Sequence, residues 1–131
     1  MNYALSIDLE LPYDEVVRQT REALAANGFG IVAEIDLQKT LLDKIGVEIA
    51  PHLILGACNP RFAHQALQVE PSIGLLLPCN VVVRQTAGVT VVEAINPQSL
   101  VELTDNPAMS GLAGELNSAL SSVLDALRGH D

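Results

Sequence analysis

The chain has 131 residues, enough for one domain, and its net charge at pH 7 is −9 because acidic side chains outnumber lysine and arginine by 16 to 7. This balance disfavours binding to nucleic acid and to anionic membranes, since both depend on clustered cationic side chains. Hydrophobic residues make up 49% of the chain and aromatic residues only 3%, so we expect an aliphatic core and a surplus of apolar surface, which a homodimer interface would cover.

The first half of the chain predicts alternating strands and helices. Apolar and polar side chains alternate from Tyr3 to Leu11, which is typical of a half-buried strand. A helix that begins at Tyr13-Asp14 and runs to Ala26 ends at Asn27-Gly28, because glycine adopts the left-handed backbone conformation that closes a helix. The next elements are a strand over 30–35, a short helix over 36–45 and an apolar strand over 50–57.

In the second half, Asn59 is placed to cap a helix. Pro60 suits the first helical position, where a missing N–H costs nothing. That helix runs to about Val69. The remaining predicted elements are a short apolar stretch over 73–77, a β-hairpin of 79–85 and 89–95 with glycine in its turn, a helical turn over 98–103 and the longest helix over 109–128.

This arrangement favours an α+β fold with one mainly antiparallel sheet and helices packed on one face. The predicted order is β-α-β-(α)-β-α-β-β-α, within one domain that spans 1–131. No apolar run approaches the roughly 18 residues that span a bilayer. The first residues lack the basic region of a signal peptide, and two cysteines without an export signal favour reduced thiols in the cytoplasm.

Part of the sequence resembles a known family. Residues 53–60 read Leu-Ile-Leu-Gly-Ala-Cys-Asn-Pro, residues 63–67 read Ala-His-Gln-Ala-Leu, and residues 74–83 read Gly-Leu-Leu-Leu-Pro-Cys-Asn-Val-Val-Val. Together with Glu34-Ile35-Asp36-Leu37, this pattern is similar to the bacterial and archaeal domain-of-unknown-function family 302 over about 30–92. The resemblance implies a TATA-binding-protein-like α+β fold and dimers. It implies no reaction. The net charge also argues against inferring DNA binding from the similarity in fold.

Two similar triplets contain both cysteines and form the candidate ligand-binding site: Cys58-Asn59-Pro60 and Pro78-Cys79-Asn80. Cys58 directly precedes a predicted helix, and the positive end of a helix dipole lowers the pKa of a nearby thiol and favours the reactive thiolate. If the strands that carry Cys58 and Cys79 end at one edge of the sheet, the two sulfur atoms lie close enough for a reversible disulfide or a shared soft metal ion. The opposing interpretation is that both are buried apolar side chains, the usual environment of free cysteine.

His64 lies one turn into the helix that follows Cys58. Cys58, Cys79 and His64 would offer donors suited to zinc or haem iron, with an open coordination position. The sequence lacks the CxxC spacing of a strong metal signal, and a lone helical histidine is more often a partly exposed side chain. No motif identifies a catalytic residue.

The sequence therefore favours a homodimeric ligand-binding or sensing module with an unidentified small ligand near the two triplets. The alternative is a thiol-dependent redox protein, or a metal- or haem-binding protein, that uses the two cysteines. A purely structural subunit is a third interpretation. The sequence predicts no particular reaction.

Overall fold

A computed structural model describes residues 2–129. The fold is α+β, as predicted, and the helices and strands follow the predicted order. Their bounds are β1 Ala4–Leu9, α1 Tyr13–Ala26, β2 Gly30–Asp36, α2 Leu37–Ile45, β3 His52–Cys58, α3 Pro60–Val69, a 3₁₀ helix Pro71–Leu76, β4 Cys79–Thr86, β5 Val89–Ile95, α4 Gln98–Thr104 and α5 Met109–Arg128.

The local signals in the sequence explain most of these bounds. The side chain of Asp36 accepts a hydrogen bond from the Lys39 N–H at 3.0 Å and so caps α2. Gly46 closes the same helix in the left-handed conformation, with φ of 69°. The apolar stretch over 73–77 lies mostly within the 3₁₀ helix. None of the helices in residues 2–129 is long and apolar enough to cross a membrane.

The five strands form one sheet in the order β1-β5-β4-β3-β2, and every neighbouring pair is antiparallel. Alternate side chains of the strands point to the same face. On the face covered by helices, apolar side chains of the strands pack against apolar side chains of α1, α3 and α5 and form one core. Representative members are Leu9, Leu55, Val81, Val83 and Val92 from the sheet and Val16, Leu24, Phe62, Leu116 and Leu120 from the helices.

One part of the chain contributes little to this core. No residue from Gly30 to Ile54 is buried, although this range contains all of β2 and α2. The flanking residues Phe29 and Leu55 are both buried. This segment, residues 30–54, which we call the excursion, is therefore anchored at its two ends and is exposed or half-buried between them.

A close approach between backbone and side chain occurs at Gly56 in β3. A Cβ atom added there would lie 2.8 Å from Cγ of Pro78 and 3.2 Å from Cβ of Ala33. The Leu77-Pro78 peptide bond is cis. The proline ring therefore packs directly on the backbone of β3, in space that any larger residue at position 56 would need.

We expect Gly56→Ala to lower the free energy of unfolding by about 1–3 kcal/mol, because the new methyl group would overlap the Pro78 ring. Gly114→Ala is the matched control, since a Cβ atom at that exposed position in α5 meets nothing within 4 Å. Removing glycine from a helix interior should raise stability by about 0.5–1 kcal/mol. Urea unfolding of both variants measures the difference, and equal stabilities would contradict the close contact at Gly56.

Candidate functional site

A cavity of about 270 Å³ lies where β3, the first turn of α3, β2 and the residues before β4 meet. We call it the thiol pocket because both cysteines contribute to its wall. Most of its wall is apolar. The lining residues are Val32, Ala57, Cys58, Asn59, Phe62, Ala63, Leu77, Pro78 and Cys79.

The first turn of α3 is held in place by the predicted cap. The Oδ1 atom of Asn59 accepts a hydrogen bond from the Phe62 N–H at 3.1 Å, and Pro60 occupies the first turn. This start directs Phe62 into the core, where it is 6% exposed, and sets Ala63 against the pocket. The prediction that Asn59 caps the helix is confirmed.

The opposite wall depends on an irregularity in β2. Ile31 pairs with Ala57 and Ala33 pairs with Gly56, so Val32 is an extra residue in the ladder. Such a bulge turns one side chain away from its regular direction. Val32 is 65% exposed and lines the thiol pocket. Sequence reasoning missed this residue, since alternation of apolar and polar residues does not reveal a bulge.

The two thiols have different environments. Cys79 is 4% exposed, whereas Cys58 is half-buried. Burial raises the pKa of Cys79 to about 11, and the neighbouring Cys58 acts in the same direction. At neutral pH, Cys79 therefore keeps its proton and is a poor nucleophile.

The strand register separates the two side chains even though they share a pocket. Cys79 pairs with Ala57, and Cys58 pairs with Gly30 on the other neighbouring strand. Because successive side chains of a strand point to opposite faces, Cys58 and Cys79 leave the sheet on opposite sides. A disulfide requires the two Cβ atoms to face each other, so these opposite directions disfavour a direct Cys58–Cys79 bond. Both cysteines are free thiols in the structure.

The structure brings together four of the six residues that the sequence proposed for ligand binding: Cys58, Asn59, Pro78 and Cys79 line the thiol pocket. Pro60 and Asn80 are not part of its wall and are exposed. Three further residues of the wall were not predicted as site residues: Phe62, Ala63 and Leu77. Helical spacing after the Asn59 cap is the signal that would have identified Phe62 and Ala63 as neighbours of Cys58.

The proposed three-donor metal site is not assembled. His64 is exposed, whereas Cys79 is buried in the core. Within residues 2–129, no three side chains of histidine, cysteine, aspartate and glutamate are grouped so that they could hold a metal ion. Cys58, Cys79 and His64 are therefore not grouped as a three-donor site for a zinc ion.

Comparisons with known proteins identify relatives of the whole chain. The model of a family described as Domain of unknown function DUF302 matches residues 5–127, well beyond the similarity noticed over 30–92. A crystal structure of an uncharacterized conserved protein DUF302 from Bacillus stearothermophilus is similar, with a TM-score of 0.90 and 28% identity. The similarity covers 97% of this chain and 99% of that one. No curated protein matches the chain.

The burial of Cys79 should make the protein less stable at high pH. The ordinary pKa of this thiol is 9.0, but it titrates with a pKa of about 11 in the folded chain. Between these values, the unfolded state has lost the proton and the folded state retains it, so the free energy of unfolding falls as pH rises through the window. We expect this thiol to account for a loss of about 2–3 kcal/mol between pH 8 and 12.

Chemical denaturation across this pH range tests the expectation. The quantity to compare is the slope of the unfolding free energy against pH, because Cys79→Ala also removes packing and so lowers stability at every pH. The variant should lose less stability with rising pH than the wild type. Cys58→Ala is the control and should decline nearly as the wild type does. A Cys79→Ala curve parallel to the wild-type curve would show that this thiol does not titrate abnormally.

Proposed function

The chain belongs to the family of Domain of unknown function DUF302, and from the geometry of its thiol pocket we propose that it is a homodimeric module that binds a small, mainly apolar ligand. The observation that carries the proposal is the convergence of four chain segments on one cavity of about 270 Å³. Small-molecule pockets usually measure roughly 300–1,000 Å³ and have apolar walls with a few polar groups. The ligand is accordingly at the small end of this class.

The chemistry of the wall limits the ligand further. Val32, Phe62, Leu77 and Pro78 offer apolar contacts. The Oδ1 atom of Asn59 is engaged in the helix cap, and within residues 2–129 its Nδ2 amide has no hydrogen-bond partner. This amide can donate a hydrogen bond to a ligand. The proposed ligand therefore has an apolar body and one hydrogen-bond acceptor.

The dimeric part of the proposal rests on exposed apolar surface. Several large hydrophobic side chains are well exposed, and Ile35, Leu42, Ile45 and Val47 come from the excursion between Phe29 and Leu55. Contact with a second copy of the chain would remove such side chains from water. The two free thiols favour a reducing compartment, so we place the dimer in the cytoplasm.

Thiol-dependent redox chemistry is the second candidate function. One observation favours it: Cys58 and Cys79 line the same pocket. Two others favour ligand binding. Burial keeps Cys79 protonated, with a pKa of about 11, and the register directs the two side chains to opposite faces of the sheet. For the version that uses a bound metal ion, residues 2–129 contain no group of three histidine, cysteine, aspartate or glutamate side chains that could hold it.

Toluene is a suitable probe of the pocket, because small aromatic hydrocarbons enter apolar cavities of this kind. Mass spectrometry can follow the alkylation of Cys58 by iodoacetamide in the full chain. We expect millimolar toluene to slow this reaction several-fold, because the bound hydrocarbon would lie against the Cys58 thiol. Cys79 should react much more slowly, since it is buried and protonated.

Ala63→Phe should remove the effect of toluene, because the larger side chain would fill the cavity. Ala63→Leu is a milder version if the first variant does not fold. Leu67→Phe on the same helix is the matched control, because Leu67 is 44% exposed and lies outside the pocket wall. An alkylation rate of wild-type Cys58 that is independent of toluene, or an equal response in Ala63→Phe, would refute binding in the thiol pocket.

A further inference from the structure

The excursion, residues 30–54, contains β2, α2 and the loop to β3 and is unusually exposed for ordered structure. No residue from Gly30 to Ile54 is buried. Ordering the backbone costs conformational entropy, which the burial of apolar side chains normally offsets. Within one copy of the chain, the pairing of β2 with β3 and the Arg21–Glu34 ion pair hold the excursion in place, but few of its apolar side chains are covered.

Four apolar side chains of the excursion are largely exposed, and we call them the β2–α2 patch: Ile35 at 46%, Leu42 at 49%, Ile45 at 67% and Val47 at 44%. A stable interface buries about 800 Å² on each partner. Somewhat more than half of a typical interface is apolar. The patch thus supplies apolar surface of the kind that a dimer interface needs.

The charges beside the patch form a pattern. Lys39 pairs with Asp43 at 2.7 Å, and Glu34 pairs with Arg21. In the part of the chain that the structure describes, neither Lys44 nor Glu48 has an ion-pair partner. These two residues flank Ile45-Gly46-Val47 in the sequence and are both exposed. One unpaired cation and one unpaired anion therefore border two exposed apolar side chains.

This pattern is complementary to itself. Around a two-fold axis, a contact from residue i of one copy to residue j of the other is matched by the contact from j to i. An axis near Ile45 and Val47 would bring Lys44 of each copy to Glu48 of the other while covering the apolar side chains. We infer that the β2–α2 patch is the interface between two copies of this chain, held by apolar contact and by two reciprocal Lys44–Glu48 pairs.

This inference rests on the dimer in the proposed function and adds the surface that forms it. A net charge of −9 opposes association of two copies in general. The Lys44–Glu48 arrangement replaces that repulsion locally with attraction. A membrane is a poorer partner for the same patch, because Asp43 and Glu48 would face an anionic lipid surface.

Sedimentation of the full chain at micromolar concentration tests the surface. The wild type should sediment as a dimer, and Ile45→Glu should sediment as a monomer because it places two unpaired negative charges, one from each copy, in the apolar contact at the axis. Leu75→Glu is the control, since Leu75 is 87% exposed but lies outside the patch. It should remain a dimer.

Charge exchange tests the pairing. Lys44→Glu and Glu48→Lys should each weaken the dimer about tenfold, because each replaces attraction by like-charge contact at two places. An equimolar mixture of the two variants should form a heterodimer with nearly wild-type affinity, since every contact then joins opposite charges. If the interface had a different geometry, mixing the two variants would not restore the affinity.

The outcomes distinguish the claim that the chain is a dimer from the claim that the β2–α2 patch is its interface. A wild-type chain that stays monomeric at all concentrations overturns both the dimer and this interface, and leaves ligand binding in the thiol pocket to its own test. If the wild type is a dimer and Ile45→Glu is also a dimer, the β2–α2 patch is not the interface. A monomeric wild type that co-sediments with phosphatidylcholine vesicles would replace the second copy with a lipid surface.

Discussion

At Gly56, the ring of Pro78 lies where a side chain of β3 would otherwise stand, and the geometry of the thiol pocket depends on this contact. A Cβ atom there would come within 2.8 Å of the ring. Because β4 begins directly after Pro78, the contact also fixes where Cys79 enters the sheet, opposite Ala57. Because Gly56 has no side chain, the Pro78 ring can lie on β3 and form one wall of the cavity. The Asn59 cap fixes the start of α3, which forms the other wall.

The alternation of side chains in the sheet gives the two cysteines different properties. Cys79 points into the core, where burial raises its pKa to about 11. Cys58, on the neighbouring strand and one residue out of register with it, stays half-buried at the pocket wall. One thiol is therefore mainly a packing group, and the other is accessible to whatever enters the cavity. This division favours binding over dithiol chemistry.

Local signals in the sequence were sufficient for the helices, the hairpin and the Asn59 cap, because each depends on residues a few positions apart. The features of the site that escaped prediction depend on pairing between distant strands. Val32 lines the pocket only because β2 bulges against β3. The opposite directions of Cys58 and Cys79 follow from a register that composition does not encode. The exposure of His64 depends on which side of α3 meets the core.

The cavity and the exposed excursion meet at β2, since Val32 belongs to the pocket wall and Ile35 to the β2–α2 patch. The proposed function depends on the cavity bounded by both thiols being an apolar binding space. X-ray diffraction from xenon-pressurised crystals tests it most directly, because xenon enters dry apolar cavities. We expect an anomalous peak between Phe62 and Pro78, beside Cys58. A cavity that holds ordered water and no xenon would show that this space is polar and does not bind an apolar ligand.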